Sequence, residues 1–335
     1  MISKIKGIAA SVALVASMGF AADDAAAQGR VTIGTNPQGS LYYTIGSGIA
    51  AALQDAMGRQ VTVQPFTGSS VYLPLISAGE VTVGLNSAID AGGWYSGETS
   101  GEALTDLRVL ARLWPLRQAF ITRANDGMTE VSDLAGKRTV IDMTALTGVT
   151  AVNLATIQAA GLTRDDVEPV EVSGLKAGLD ALVEGSVDAT AAAIGIPLTQ
   201  QANAAIPGGI RYLSLTGETA TEAFFDETLP GVYPLEVGPN PAMPEITEPV
   251  VVSAYDIFLT TSAALSDEEA TAILTALYDA FPQLREDYPP LRGGAQDAMG
   301  NASNTVPYHP AAIAFFQEKG LWSDANEARE ASFTQ

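Results

Sequence analysis

Val31-Thr32-Ile33-Gly34, the turn Asn36-Pro37-Gln38-Gly39-Ser40, and then Leu41, Ile45, Ile49, Leu53 and Met57 at four-residue spacing decide the fold class of this 335-residue chain. The β-branched run predicts a strand, and the spacing predicts an amphipathic helix closed at Gly58. Residues 60–66 read as a second strand. Thr67-Gly68-Ser69-Ser70 then opens a helix in which Pro74 is expected in the first turn, where no intrahelical N–H is needed. Residues 81–85 read as a third strand ending at Asn86-Ser87. This alternation predicts an α/β fold with mainly parallel sheets.

Extended runs at 107–114 and 118–123, around Pro115, are matched by a long run at 250–260. Two such crossings flanking a middle segment predict an inserted domain. Residues 28–117 plus 256–335 form the expected first lobe and 118–255 the second. The inserted segment repeats the pattern. A short capped helix is expected over 132–138, followed by a strand at 139–141, a loop at 142–147 and a helix from about 148 to 160 that stops at Gly161. Ser173 is expected to cap a helix with Leu175, Leu179, Leu182 and Val183 on one face and Gly185 at its end, before a buried strand at 187–194. Beyond the second crossing, Ser266 and Glu269 form a capping-box pattern. His309-Pro310 marks the start of a helix ending at Gly320. The proline-rich stretch 230–249 has no periodicity and is left unassigned.

Composition removes several function classes. The chain has no cysteine and one histidine, so thiol nucleophiles, disulfides, iron–sulfur clusters and His-rich or Cys-ligated metal sites are excluded. With 17 basic against 38 acidic side chains, a net charge of -21 argues against nucleic acid, whose binding depends on Lys and Arg displacing counterions. No cofactor and no metal are expected. Lys4 and Lys6, an apolar run at 8–20 and Ala25-Ala26-Ala27 form a leader pattern, with residues 1–27 expected to be removed and maturation near Gln28. This predicts an exported, periplasmic protein.

Strand-to-helix turns are where open α/β sheets hold ligands, and helix N-termini offer free N–H groups and a favourable dipole to anions. Gln38, Gly39 and Ser40, then Thr67, Gly68 and Ser69 with Ser70, and Thr144, Thr147 and Gly148 occupy such turns. Asn86 and Ser87 end a strand and supply an amide and a hydroxyl, or form a simple turn. Arg117, at the first crossing, could clamp a carboxylate in bidentate geometry or form a surface ion pair. Tyr42 and Tyr43 are adjacent on a helix and must point differently. Trp94 and Trp114 are expected in the core or at a cleft rim. His309 is expected to fix the last helix rather than to transfer protons. Asp142 and Asp188 are the carboxylates that a catalytic reading would use, although neither has an evident partner in sequence.

Ile33-Gly34-Thr35, the turn to Gly39, Tyr42-Tyr43 and Ile45-Gly46 resemble the opening of the TAXI family of solute-binding proteins, the receptors of TRAP-type secondary transporters. Thr67-Gly68-Ser69, Ser77-Ala78-Gly79-Glu80, Leu134-Ala135-Gly136-Lys137-Arg138 and His309-Pro310 with Phe315-Phe316-Gln317-Glu318-Lys319-Gly320 continue the resemblance across about 31–322. Asn36-Pro37, Thr44 and the stretch from Met143 to Gly148 depart from it. The resemblance implies a periplasmic binding protein type II-like fold, with two α/β lobes joined by a strand hinge that closes on a ligand. It implies a small organic anion as ligand, a dicarboxylate or acidic amino acid, with Tyr43 facing it. The implied partners are TRAP-type membrane transporter subunits, and the receptor is expected to be a monomer. The alternatives are an enzyme on the same bilobal scaffold, or a receptor feeding a signalling protein.

Overall fold

In the computed structural model, residues 30–99, 101–239, 243 and 245–333 are described; the expected leader at 1–27 lies outside them. β1 (Val31–Thr35), α1 (Leu41–Met57), β2 (Val61–Pro65), α2 (Ser69–Ser77), β3 (Val83–Ser87) and α3 (Ala88–Ser96) open the chain. β1 pairs in parallel with β2 and β3, which makes the parallel sheet of the first lobe. The second lobe holds β5 (Arg138–Met143), α4 (Thr147–Ala159), β6 (Glu168–Val172), α5 (Leu175–Glu184), β7 (Ala189–Ala193) and α6 (Pro197–Ala205). There β5 pairs in parallel with both β6 and β7.

Two long antiparallel strands join the lobes: β4 (Leu107–Arg123) and β10 (Val250–Ser262). β10 meets β3 at Ile257 to Thr261, while β4 meets β7 at Gln118 to Thr122. Each strand therefore starts in one lobe and ends in the other. The ten-stranded order is β2-β1-β3-β10-β4-β7-β5-β6, with β8 (Ile210–Tyr212) on β4 and β9 (Val232–Val237) on β10. α7 (Glu222–Thr228) precedes β9, and α8 (Asp267–Asp287), α9 (Pro310–Glu318) and α10 (Asp324–Ser332) follow the crossing. The fold is the two-lobed α/β arrangement expected. Among the described residues, no helix is long and apolar enough to cross a membrane.

Several local expectations are corrected. β4 runs straight through Pro115 as one strand. At Pro115 its strand neighbour is β10 alone, because β7 joins only from Gln118, so a missing N–H is tolerated as on an edge. Pro74 lies well inside α2, which begins at Ser69, and not in its first turn. The segment after Glu130 is a 3₁₀ turn, Val131–Leu134, closed by reciprocal Glu130 and Asp133 bonds. Gly174 rather than Ser173 stands at the N-cap of α5, and Val183 faces solvent. Glu269 is paired with Arg59, so the Ser266 cap on α8 is one-sided. Part of the unassigned proline-rich stretch is β9, an edge strand that admits Pro234.

Candidate functional site

Loops from the two lobes meet where the strands end. Leu198 N–H donates to the Gly39 carbonyl at 3.3 Å, and Ser70 N–H to the Ala145 carbonyl at 3.2 Å. At Gly68 the backbones of the two lobes approach closely: a Cβ there would stand 1.9 Å from the Ala145 carbonyl oxygen. These contacts border a partly open cavity of about 40 Å³, room for roughly three water-sized groups. Asn36, Ser40, Tyr42, Ser87, Asp90, Gln118 and Tyr255 supply its polar surface. Leu41, Leu116, Met143, Leu146, Val149, Leu175, Ile196 and Ala191 to Ala193 supply the rest.

Sequence reasoning passed over Asp90, among the described residues the one charged side chain lining this cavity. It is 2% exposed. Its Oδ2 accepts from Ser69 Oγ at 2.5 Å and Ser87 Oγ at 3.2 Å; its Oδ1 accepts from Gly148 N–H at 2.5 Å and Thr147 Oγ1 at 3.3 Å. Burial pushes its carboxyl above the ordinary aspartate range, and these four donors pull it back. Four residues expected at the site, Ser69, Ser87, Thr147 and Gly148, are thus gathered around a carboxylate, but that carboxylate belongs to the chain itself. The available signal was Ser87 followed three residues later by Asp90: Ser87 caps α3 by accepting Asp90 N–H at 2.9 Å, and Asp90 sits in a run of Ala, Ile and Gly.

The other expected residues divide. Ser40 lines the cavity and caps α1 by accepting Tyr43 N–H at 3.2 Å. Gly39, at φ 84°, makes the tight turn before it against Leu198. Tyr42, not Tyr43, faces the cavity, stacked edge-on against buried Trp114, while Tyr43 turns outward to Gln38 Nε2 at 3.4 Å. The cap at Ser40 aims the second helical residue inward, and the third is rotated about 100° from it. Arg117 is absent from the cavity wall. It alternates with Leu116 and Gln118, which do line the wall, so it projects from the other face of β4 beside Gly293. Asn86 is buried but spends its amide on Thr260 Oγ1 at 2.6 Å. Thr67 and Thr144 are exposed on the rim. Trp94 packs half-buried against the core.

The crossing strands add residues that no local pattern marks. Tyr255 Oη donates to Gln118 Oε1 at 2.7 Å, Gln118 Nε2 to Asn153 Oδ1 at 2.9 Å, and Asn153 Nδ2 to the Ile141 carbonyl at 2.9 Å. This chain ties β10, β4, α4 and β5 together behind the cavity. Asp142 pairs with Arg164, and Asp188 with Arg138 and Arg123, the Arg138 hydrogen bonds lowering its carboxyl below the usual range. His309 caps α9, its Nδ1 accepting Ala311 N–H at 3.2 Å and its Nε2 3.0 Å from the Leu265 carbonyl. None of the three side chains lines the cavity.

A larger open groove of about 990 Å³ lies between β8, the C-terminal end of α6 and the segment before β10, with Glu130, Glu245 and Glu248 on its walls. Arg211 also lines it, but three carboxylates and a helix C-terminus outweigh one cation for an anion, and its walls come from the second lobe alone. The small cavity at the seam is the better candidate despite its size.

Comparison with known proteins agrees with this architecture. The sequence profile described as the NMT1-like family matches residues 33–320. Among solved structures, MatC from Rhodopseudomonas palustris with bound malate is 14% identical, with 90% of this chain and 98% of that one covered at a TM-score of 0.56. The alkanesulfonate-binding protein SsuA from Xanthomonas axonopodis pv. citri, bound to MOPS, is 16% identical, with 90% and 83% covered at a TM-score of 0.51. At such identities these likenesses concern the fold.

Proposed function

This chain belongs to the NMT1-like family, and from that premise we propose that it is an extracytoplasmic solute receptor that captures a small organic ligand between two lobes and delivers it to a membrane transporter. One observation carries the reading: the small cavity lies at the seam of the lobes, where helices from both begin and the two crossing strands form its back wall. Such strands can flex as a hinge, and closure around a ligand makes a surface that a partner can read. In this reading the first lobe is 28–117 plus 256–335 and the second 118–255. The TAXI resemblance points to TRAP-type transporter subunits as the partner and to export through the expected leader at 1–27. Malate and MOPS, held by two proteins of this fold, support a small ligand bearing an anionic group; the resemblance narrows it to a dicarboxylate or acidic amino acid. The receptor works as a monomer and without catalysis.

Native mass spectrometry of the protein purified without denaturation tests the reading. The expected result is one small organic acid per chain, released intact on unfolding, together with a smaller radius of gyration in X-ray scattering when the ligand is restored. Turnover of a bound metabolite, or no compaction with any ligand that raises the melting temperature, would sink it.

A further inference from the structure

Between its ends the crossing has one weak point. The edge of β4 away from β10 is held on the first-lobe side by the C-terminal segment, Val109 N–H donating to the Pro307 carbonyl and Arg112 N–H to the Met299 carbonyl, both at 2.9 Å. On the second-lobe side that edge receives Ile194 N–H on the Arg117 carbonyl at 3.0 Å and pairs with β7 from Gln118. β10 changes neighbours at the same level, leaving β9 at Tyr255 and meeting β3 at Ile257. Asp256 and Pro115 oppose each other in that gap, with no further strand paired to either among the described residues. Pro115 has no N–H to give. Just before it, Leu110 and Leu113 are skipped in the register as bulges, which break the ladder and let it bend.

The face of this pivot turned away from the cavity is covered by the first lobe. Pro115 and Arg117 alternate with the cavity-lining Leu116 and Gln118, and against them lies the 3₁₀ turn Pro289–Gly293 that follows α8. A Cβ on Gly293 would stand 3.1 Å from Pro115 Cγ and 3.7 Å from Arg117 Nη2. A Cβ on the next residue, Gly294, would stand 1.9 Å from the Leu113 carbonyl oxygen, so the chain here sits hard against the bulge. Arg112 pairs with Asp256 at 2.7 Å, and Ser303 Oγ donates to the same carboxylate at 2.7 Å, which ties the β10 side of the pivot to the first lobe. We propose that the Pro289–Gly293 turn is a back stop for the hinge: Arg117, held by Ile194, swings with the second lobe, and opening of the cleft drives it against Gly293 because both lie across the pivot from the cavity. The clearance between them sets how far the cleft opens and, through the balance of open and closed forms, how tightly the ligand is held. The inference rests on the receptor reading above and assigns part of the affinity to residues that line no part of the cavity.

The test reads the width of the cleft directly. The chain has no cysteine, so spin labels go only where they are placed. Labels on Val71→Cys in α2 and Lys176→Cys in α5, both exposed and one on each lobe, report the separation of the lobes by pulsed electron resonance without any ligand. Gly293→Leu, a wedge behind the pivot, should shift the distances toward the short form, and Arg117→Ala, which removes the group that meets the stop, toward a longer one. L-Malate and L-glutamate are the probes for affinity. Whichever raises the melting temperature of the wild type should bind about 5- to 10-fold tighter to Gly293→Leu in calorimetry and a few-fold weaker to Arg117→Ala. If Gly293→Leu does not fold, the opposite shift expected of Arg117→Ala still decides. Distances unchanged in the variants, or moving the same way in both, overturn the back stop and leave the receptor intact. A single wild-type distance, the same with and without a bound probe, overturns it too. Silence from both probes, in a protein that carries no co-purified molecule, counts against the receptor reading, while the distances still decide whether the turn limits opening.

Discussion

Two strand-to-helix turns face the same cavity and are completed in different ways. At the start of α1, Ser40 caps its own helix, with Tyr43 N–H donating to its hydroxyl. At the start of α4 the N-cap is Leu146, which has no side-chain oxygen to offer. There Thr147 N–H donates to Ser70 Oγ at 3.1 Å and Gly148 N–H to Asp90 Oδ1, both from the first lobe. The first turn is satisfied in any arrangement of the lobes, whereas the second is satisfied only when they meet. In the proposed closing motion the α4 donors are met only on contact, so that rim depends on the other lobe while the Ser40 cap does not.

The sharpest way to break this difference is Gly68→Ala. Its φ of −177° suits any residue, so the cost falls entirely on the contact with Ala145 across the seam. Overpacking of about 2–3 kcal/mol in the closed form corresponds to a roughly 30- to 150-fold loss of ligand affinity. Calorimetry should show that loss, and scattering a larger ligand-free radius, while denaturant stability of the open form stays near wild type.

Ser40→Ala should act on the platform instead. It removes a local cap worth about 1 kcal/mol, so chemical denaturation should lose that amount equally with and without ligand. An effect confined to the liganded protein would contradict the proposed independence of α1.

His309 offers a third cap, remote from the cavity and sensitive to pH. Burial out of solvent lowers its pKa below the ordinary histidine value, against the opposing pull of the Leu265 carbonyl and Asp267. The unfolded chain therefore takes the proton first as pH falls below about 6.5. The stability that this cap contributes is fully present above that pH and is lost as pH falls toward the lower, folded-state pKa. Falling stability below about pH 6.5 is expected in urea melts, and His309→Asn, a cap that does not titrate, should flatten that part of the profile.

The smallest effect sharpens the comparison from the α4 side. Ser70→Ala deletes two neutral hydrogen bonds, to Thr147 N–H and Thr147 Oγ1, only where the lobes meet, and because Thr147 Oγ1 keeps its bond to Asp90 the net cost is about 0.5–1.5 kcal/mol. A few-fold weaker ligand binding with an unchanged melting temperature of the ligand-free open form is the expected pattern; equal loss in both would place the bonds outside the closing step.

Much of the fold was legible because its signals are local. The spacing of Leu41, Ile45, Ile49 and Leu53 appears as a buried helix face, and Gly58 and Gly185 end their helices in the left-handed conformation. The run at 250–260 is the crossing strand β10. Reading Pro115 as a break failed because proline's effect depends on whether a neighbour needs its N–H, which only the pairing of β4 decides. The site was half legible. Ser69, Thr147 and Gly148, expected as helix-start donors, and Ser87, expected at a strand end or turn, do converge, but the group that they hold is Asp90. Arg117 was misplaced because its position at a crossing says nothing about which face of the strand it occupies.

Sequence alone determined the alternation of strands and helices, the caps and turns, and the absence of cysteine chemistry, because each depends on a residue and its near neighbours. Tertiary structure alone decided that β4 and β10 connect the lobes side by side, that Tyr42 and not Tyr43 turns inward, and that Asp90 reaches Gly148, 58 residues away, across the seam. Those facts depend on which surfaces meet. A carboxylate buried at the converging starts of helices is therefore a property of the assembled fold that no window of the chain contains.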